Sequence, residues 1–115
     1  ADLRRGGENA RYLPGVPLDP AIAVTSEAAD LGGAELLLLA LPAQHLRTTL
    51  GGLADRLPRV PAVICAKGIE LASGRLLDAV VEEILAGCPA AVLSGPSFAA
   101  EVARGLPPAC WSAAR

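Results

Sequence analysis

The chain has 115 residues, 52% of them hydrophobic, and ten Lys and Arg against twelve Asp and Glu give a net charge of -2. That length suits one small domain or part of a larger protein, and the apolar content excludes a disordered chain. The basic residues are scattered and the pI is near 5.3, whereas a surface that neutralises many phosphates carries clustered Lys and Arg, so nucleic acid is not an expected partner.

The first residues are charged and carry no signal-peptide pattern. Arg11-Tyr12-Leu13-Pro14-Gly15 reads as a compact structural turn with one aromatic. Residues 22–25 are a short β-type run, and residues 26–31 a short helix capped by Thr25 or Ser26 and ended by Gly32-Gly33. Residues 35–41 are almost continuously apolar, the pattern of a strand covered on both faces, and Pro42 stops them. The longest apolar run, residues 36–41, is far short of the roughly 20 residues that cross a bilayer. A soluble cytoplasmic chain with no membrane contact is expected.

Leu46, Leu50, Leu53 and Leu57 follow at helical spacing, in a helix that absorbs Gly51-Gly52 at about 1 kcal/mol each relative to Ala. His45 is the only histidine. No carboxylate or nucleophile is visibly paired with it, so it reads as a polar helix-surface residue, with a proton donor as the alternative. Pro58 and Pro61 bracket a turn into a strand at residues 62–66. After Lys67-Gly68 and a loop containing Ser73-Gly74, residues 75–85 make the strongest helical pattern. Leu76, Leu77, Val80, Val81, Ile84 and Leu85 form its apolar face, with Asp78, Glu82 and Glu83 opposite, and Gly87 and Pro89 close it.

Residues 90–93 are a further buried strand, 98–104 a short helix and 109–112 a last strand. Alternating strands and helices at this spacing indicate βαβ crossovers in a parallel sheet, an α/β fold. Cys65, Cys88 and Cys110 lack the spacing of a zinc or dithiol site and read as small core residues in a reducing compartment. No metal is expected.

Two strand-end turns carry the candidate chemistry, because open α/β proteins bind ligands at the carboxyl edge of the sheet. Lys67 follows an otherwise apolar strand, so its ammonium should emerge at that edge, where a phosphate or carbonyl oxygen could accept from it; a solvated surface lysine is the plainer reading. In the second turn Gly95 and Pro96 allow a tight bend with little side chain. Ser97 is placed to cap a helix beginning at Phe98 and to point free N–H groups at an anion, or to be a cap and nothing more.

Arg11-Tyr12-Leu13-Pro14-Gly15, Leu38-Leu39-Ala40-Leu41-Pro42, Ala66-Lys67-Gly68-Ile69-Glu70 and the run from Leu93-Ser94-Gly95-Pro96-Ser97-Phe98 to Gly105-Leu106-Pro107 resemble, in order and spacing, the bacterial NAD(P)-dependent glycerol-3-phosphate dehydrogenases. The resemblance spans nearly the whole chain. It implies an oxidoreductase that interconverts sn-glycerol 3-phosphate and dihydroxyacetone phosphate by hydride transfer with NAD or NADP, supplying phospholipid synthesis. It further implies that Lys67 contacts both coenzyme and substrate, that Gly95 and Ser97 line the substrate site, and that Ala99 touches the coenzyme. A homodimer of the full-length protein stays open.

The same resemblance makes residues 1–115 an incomplete NAD(P)-binding domain. Its fold would be a partial Rossmann-type, doubly wound, mostly parallel sheet lacking its first strand and glycine-rich turn. The proton-acceptor lysine and the all-helical substrate domain are expected outside this chain, so the fragment alone should be inactive, with the edge of residues 35–41 bare and prone to aggregate. Two departures stand out: Cys110-Trp111-Ser112 replaces small aliphatic residues, and Ala43 stands where a serine is common. Two alternatives remain, a related dehydrogenase with another substrate and a non-catalytic α/β module that binds nucleotide or protein.

Overall fold

Three apolar runs of the sequence become neighbouring parallel strands in the computed structural model, which describes residues 3, 6–95, 98–107 and 111–114. β1 (Leu37–Leu39), β2 (Ala62–Ile64), β3 (Ala90–Ser94) and β4 (Trp111–Ala114) lie in one sheet in sequential order. The first three are mutually parallel, and β4 runs antiparallel to β3. The α/β, mostly parallel architecture expected from the sequence is therefore present.

Register decides which side chains meet the helices. Leu37 lies beside Ala62 and Ala62 beside Ala90, while Leu39, Ile64 and Val92 form the next row. Since successive strand residues point to opposite faces, these six share one face. Over it pack α1 (Leu46–Leu53), which buries Leu46 and Leu50, and α2 (Leu77–Ile84), which buries Leu77, Val80 and Val81. Spacings of three and four residues align each set along one helix face. Leu46, Ile64, Val80 and Val81 are wholly inaccessible to water, and burying a side chain of this size stabilises by about 1.5–3 kcal/mol.

Element edges depart from expectation for local reasons. The strand expected at residues 35–41 shrinks to three residues, and only one of its faces is covered: Leu37 and Leu39 are buried, whereas Leu38 is 64% exposed. Helix α1 ends at Leu53, with Arg56 N–H and Leu57 N–H both returning to the Leu53 carbonyl. Leu76 lies in extended backbone at the N-cap of α2 and is exposed, outside the apolar face expected to include it. Residues 22–25 form no strand; Asp19 instead accepts from Ala21 N–H and Ile22 N–H in a local turn. The helix expected at 26–31 is a 3₁₀ turn, Ala28–Leu31, preceded by Glu27 N–H donating to Thr25 Oγ1. β4 sits two residues later than expected.

Cys88 is buried in the core and Cys65 half-buried, both free thiols; Cys110 lies outside the described residues. These elements belong to a unit made of residues 28–95 and 110–115. A second unit comprises residues 1–27 and 96–109. In it Glu8 bridges Pro17, Leu18 N–H donates to the Gly7 carbonyl, and the Arg11 guanidinium lies 5.1 Å from the centroid of the Tyr12 ring. Its helix α3 (Ala99–Ala103) and the turn at residues 12–17 flank an open hollow of about 470 Å³. Among the described residues no helix is long and apolar enough to cross a membrane.

Candidate functional site

Because β2 and β3 are parallel with Ile64 beside Val92, Lys67 and Gly95 each follow three residues later and emerge level at the carboxyl edge. The Lys67 Nζ donates to the Gly95 carbonyl oxygen at 3.2 Å. Lys67 is exposed. Gly68, with φ of 108°, lies in a backbone region that residues with a Cβ rarely adopt, and it turns the chain immediately after the lysine.

Beyond Gly68 the chain forms a small closed loop. Ile69 bridges Leu76, Glu70 N–H donates to the Arg75 carbonyl at 2.9 Å, and Gly74 N–H returns to the Glu70 carbonyl at 2.8 Å. The Glu70 side chain points inward and the residue is only 6% exposed. Arg47 of α1 grips its carboxylate with two donors, Nε to Oε1 at 2.8 Å and Nη2 to Oε2 at 3.1 Å, and the Ser73 hydroxyl donates to Oε2. A buried carboxylate is tolerable only when paired and hydrogen-bonded in this way. Arg47 also binds Glu83 through two nitrogens, and Arg75 adds a third donor to Glu83. The Arg47 hydrogen bonds hold both carboxyls below the ordinary range, with Ser73 adding to the effect at Glu70.

Gln44 reaches the same loop from the 3₁₀ turn Ala43–His45 that precedes α1. Its Nε2 donates to the Ile69 carbonyl at 2.8 Å, and its Oε1 accepts from Leu71 N–H at 2.9 Å. Sequence reasoning assigned no role to Gln44, Arg47 or Glu70. The signal that could have raised the first two is their spacing of three on one helical face, opposite a motif that already held Lys67.

Of the four residues singled out from the sequence, Lys67 and Gly95 are brought together. Ser97 lies outside the described residues. The helix expected from Phe98 starts at Ala99, and Phe98 itself occupies the N-cap with extended backbone and no side-chain cap. Ala99, the first residue of α3, is exposed and belongs to the other unit. His45 is exposed at the N-cap of α1 and makes no side-chain cap bond.

An ammonium has three donors and no acceptor. Among the described residues Gly95 is the partner recorded for Lys67, so its other donors can serve a phosphate or carbonyl oxygen. Parallel strands packed by helices make an α/β domain of the Rossmann type, a class that meets its ligands at the carboxyl edge, where Lys67 emerges.

The comparisons narrow this class to a family. Residues 1–115 match the family model described as NAD-dependent glycerol-3-phosphate dehydrogenase N-terminus, and the chain belongs to that family. It is 56% identical over 111 residues to a glycerol-3-phosphate dehydrogenase [NAD(P)+] of Mesorhizobium japonicum, covering 95% of this chain and 32% of that protein. The corresponding protein of Methylobacterium radiotolerans is 54% identical over 116 residues, covering 99% of this chain and 35% of the relative. The crystal structure of the Coxiella burnetii glycerol-3-phosphate dehydrogenase superposes with a TM-score of 0.89 at 32% identity, covering 99% of this chain and 35% of that one. The chain thus spans about a third of the length of the relatives it matches.

Proposed function

We propose that this chain is the coenzyme-binding part of an oxidoreductase that interconverts sn-glycerol 3-phosphate and dihydroxyacetone phosphate with NAD or NADP, feeding phospholipid synthesis. The observation that carries the reading is the Lys67 ammonium at 3.2 Å from the Gly95 carbonyl, at the carboxyl edge of the parallel strands. The donor set fits the group it would meet, since an exposed ammonium can neutralise a phosphate or polarise a carbonyl oxygen. When bound, the nicotinamide accepts or gives the hydride. Lys67 holds coenzyme and substrate at this edge, Gly95 and Ser97 line the substrate side, and Ala99 meets the coenzyme. The family membership and the relatives' names support the activity, and the place of Lys67 beside Gly95 supports the role given to the lysine.

Residues 1–115 act as an incomplete NAD(P)-binding domain, non-catalytic by itself. The proton acceptor and a helical substrate-binding part belong to the remainder of the full-length protein, a reading supported by the third of its relatives' length that the chain covers. The dispersed charge and the pI near 5.3 disfavour nucleic acid as a partner, and the relatives' names favour a small phosphorylated substrate; the protein works in the cytoplasm, away from a membrane surface.

The test is the rate of NADH or NADPH oxidation by the complete protein with dihydroxyacetone phosphate. Lys67→Ala should lower kcat/KM by about 10²–10³, the usual cost of removing one electrostatic donor at a reacting centre. A full rate in that variant would remove Lys67 from the site, and no coenzyme oxidation by the unaltered protein would overturn the activity itself.

A further inference from the structure

We infer that Gln44, together with the Arg47–Glu70 pair, is a positioning device for Lys67, acting on coenzyme and substrate only through that lysine. The inference rests on the reading of Lys67 given above. The backbone is anchored on both sides of the residue. Before it, Cys65 N–H donates to the Leu39 carbonyl at 3.1 Å, carrying the β1–β2 ladder one residue past β2. After it, the Gln44 amide takes the Ile69 carbonyl and the Leu71 N–H at once, as the backbone of an adjoining strand would. The N–H and carbonyl of Glu70 itself turn the other way, to Arg75 and Gly74, and its carboxylate is held by Arg47. Residues 66–68 therefore bridge two fixed points.

Burial of apolar surface does not explain the clamp, because Ile69 is 44% and Leu71 77% exposed. Nor is a buried ion pair an efficient source of stability, since apolar replacements often serve as well or better. What two-point amide bonding and a two-donor guanidinium contact provide is direction. A lysine has a long flexible stem, so fixing its Cα limits where the ammonium reaches, and a catalytic donor displaced by about 1 Å can cost up to about a hundredfold in rate.

The test is a double-mutant cycle in the complete protein, reading kcat and KM for dihydroxyacetone phosphate and for the coenzyme with Gln44→Ala, Lys67→Ala and both. Gln44→Ala should lower kcat/KM about tenfold in the native background and by less than about twofold when Lys67 is already alanine. Gln44→Glu, which keeps the acceptor for Leu71 N–H but loses the donor to Ile69, should fall between. An equal cost of Gln44→Ala in both backgrounds, or no cost in the native one, would overturn the inference while leaving Lys67 in its role. A full rate in Lys67→Ala would overturn both. If Gln44→Ala reduces the yield of folded protein, the same cycle with Gln44→Glu decides.

Discussion

Glu70 shows how one buried carboxylate can link the loop after β2 to α1 and make that link depend on pH. Hydrogen bonds from Arg47, then from Ser73, hold its carboxyl below the ordinary value of 4.5. The folded state therefore releases the proton more readily than the unfolded chain does. The resulting stabilisation is complete above the unfolded value and is lost as pH falls through the folded one. Glu83 carries the same sign, but its side chain is 47% exposed, so solvent screens its share. Glu70→Gln should lower the thermal midpoint at neutral pH and flatten its decline as pH falls below the ordinary 4.5, relative to the unaltered protein. Thermal unfolding of both at each pH is the measurement, and parallel declines would refute the linkage. At this scale the sequence exposed Lys67 and Gly95, because each follows an apolar strand directly. It hid Gln44 and Arg47, because their partner loop lies 23 to 27 residues away and comes into reach only when α1 packs on the sheet.

At the scale of elements, periodicity located the two long helices, because each carries one face that must be buried, and short apolar runs located the three parallel strands. Their ends were less legible. Leu57 and Leu76 fit the helical pattern yet lie outside α1 and α2, since chain reversals, rather than hydrophobicity, decide where a helix stops. The length of β1 was overread for a related reason: an apolar run does not reveal how many of its residues find ladder partners. Helix α1 carries a correctable weakness. Gly51 and Gly52 lie within it, both exposed, and a Cβ on either would meet nothing within 4 Å. Gly51→Ala should therefore stabilise the protein by about 0.5–1 kcal/mol through lower backbone entropy in the unfolded chain. Thermal or urea unfolding would show this as a higher midpoint, and an unchanged or lower one would contradict it.

At the scale of the molecule, the buried side chains among the described residues concentrate between one sheet face and two helices, while β1 stands at one end of the strand order and Leu38 is 64% exposed on the opposite face. The sequence suggested cover on both sides because a continuous apolar run looks the same whichever neighbours it meets. An end strand with an apolar outer residue invites pairing with other chains, and a lysine there discourages it. Leu38→Lys should accordingly raise the concentration at which this chain stays monomeric in sedimentation; unchanged self-association would place the contact elsewhere. The antiparallel pairing of Ser94 with Trp111 has a separate consequence. It ties off residues 95–110 like a noose whose knot is the sheet, so residues added to that stretch lengthen a loop that is already closed. Doubling such a loop costs only about 0.6 kcal/mol. Residues inserted in that stretch clear of α3 therefore cost little, while the carbonyl of Gly95, next to the knot, keeps its place.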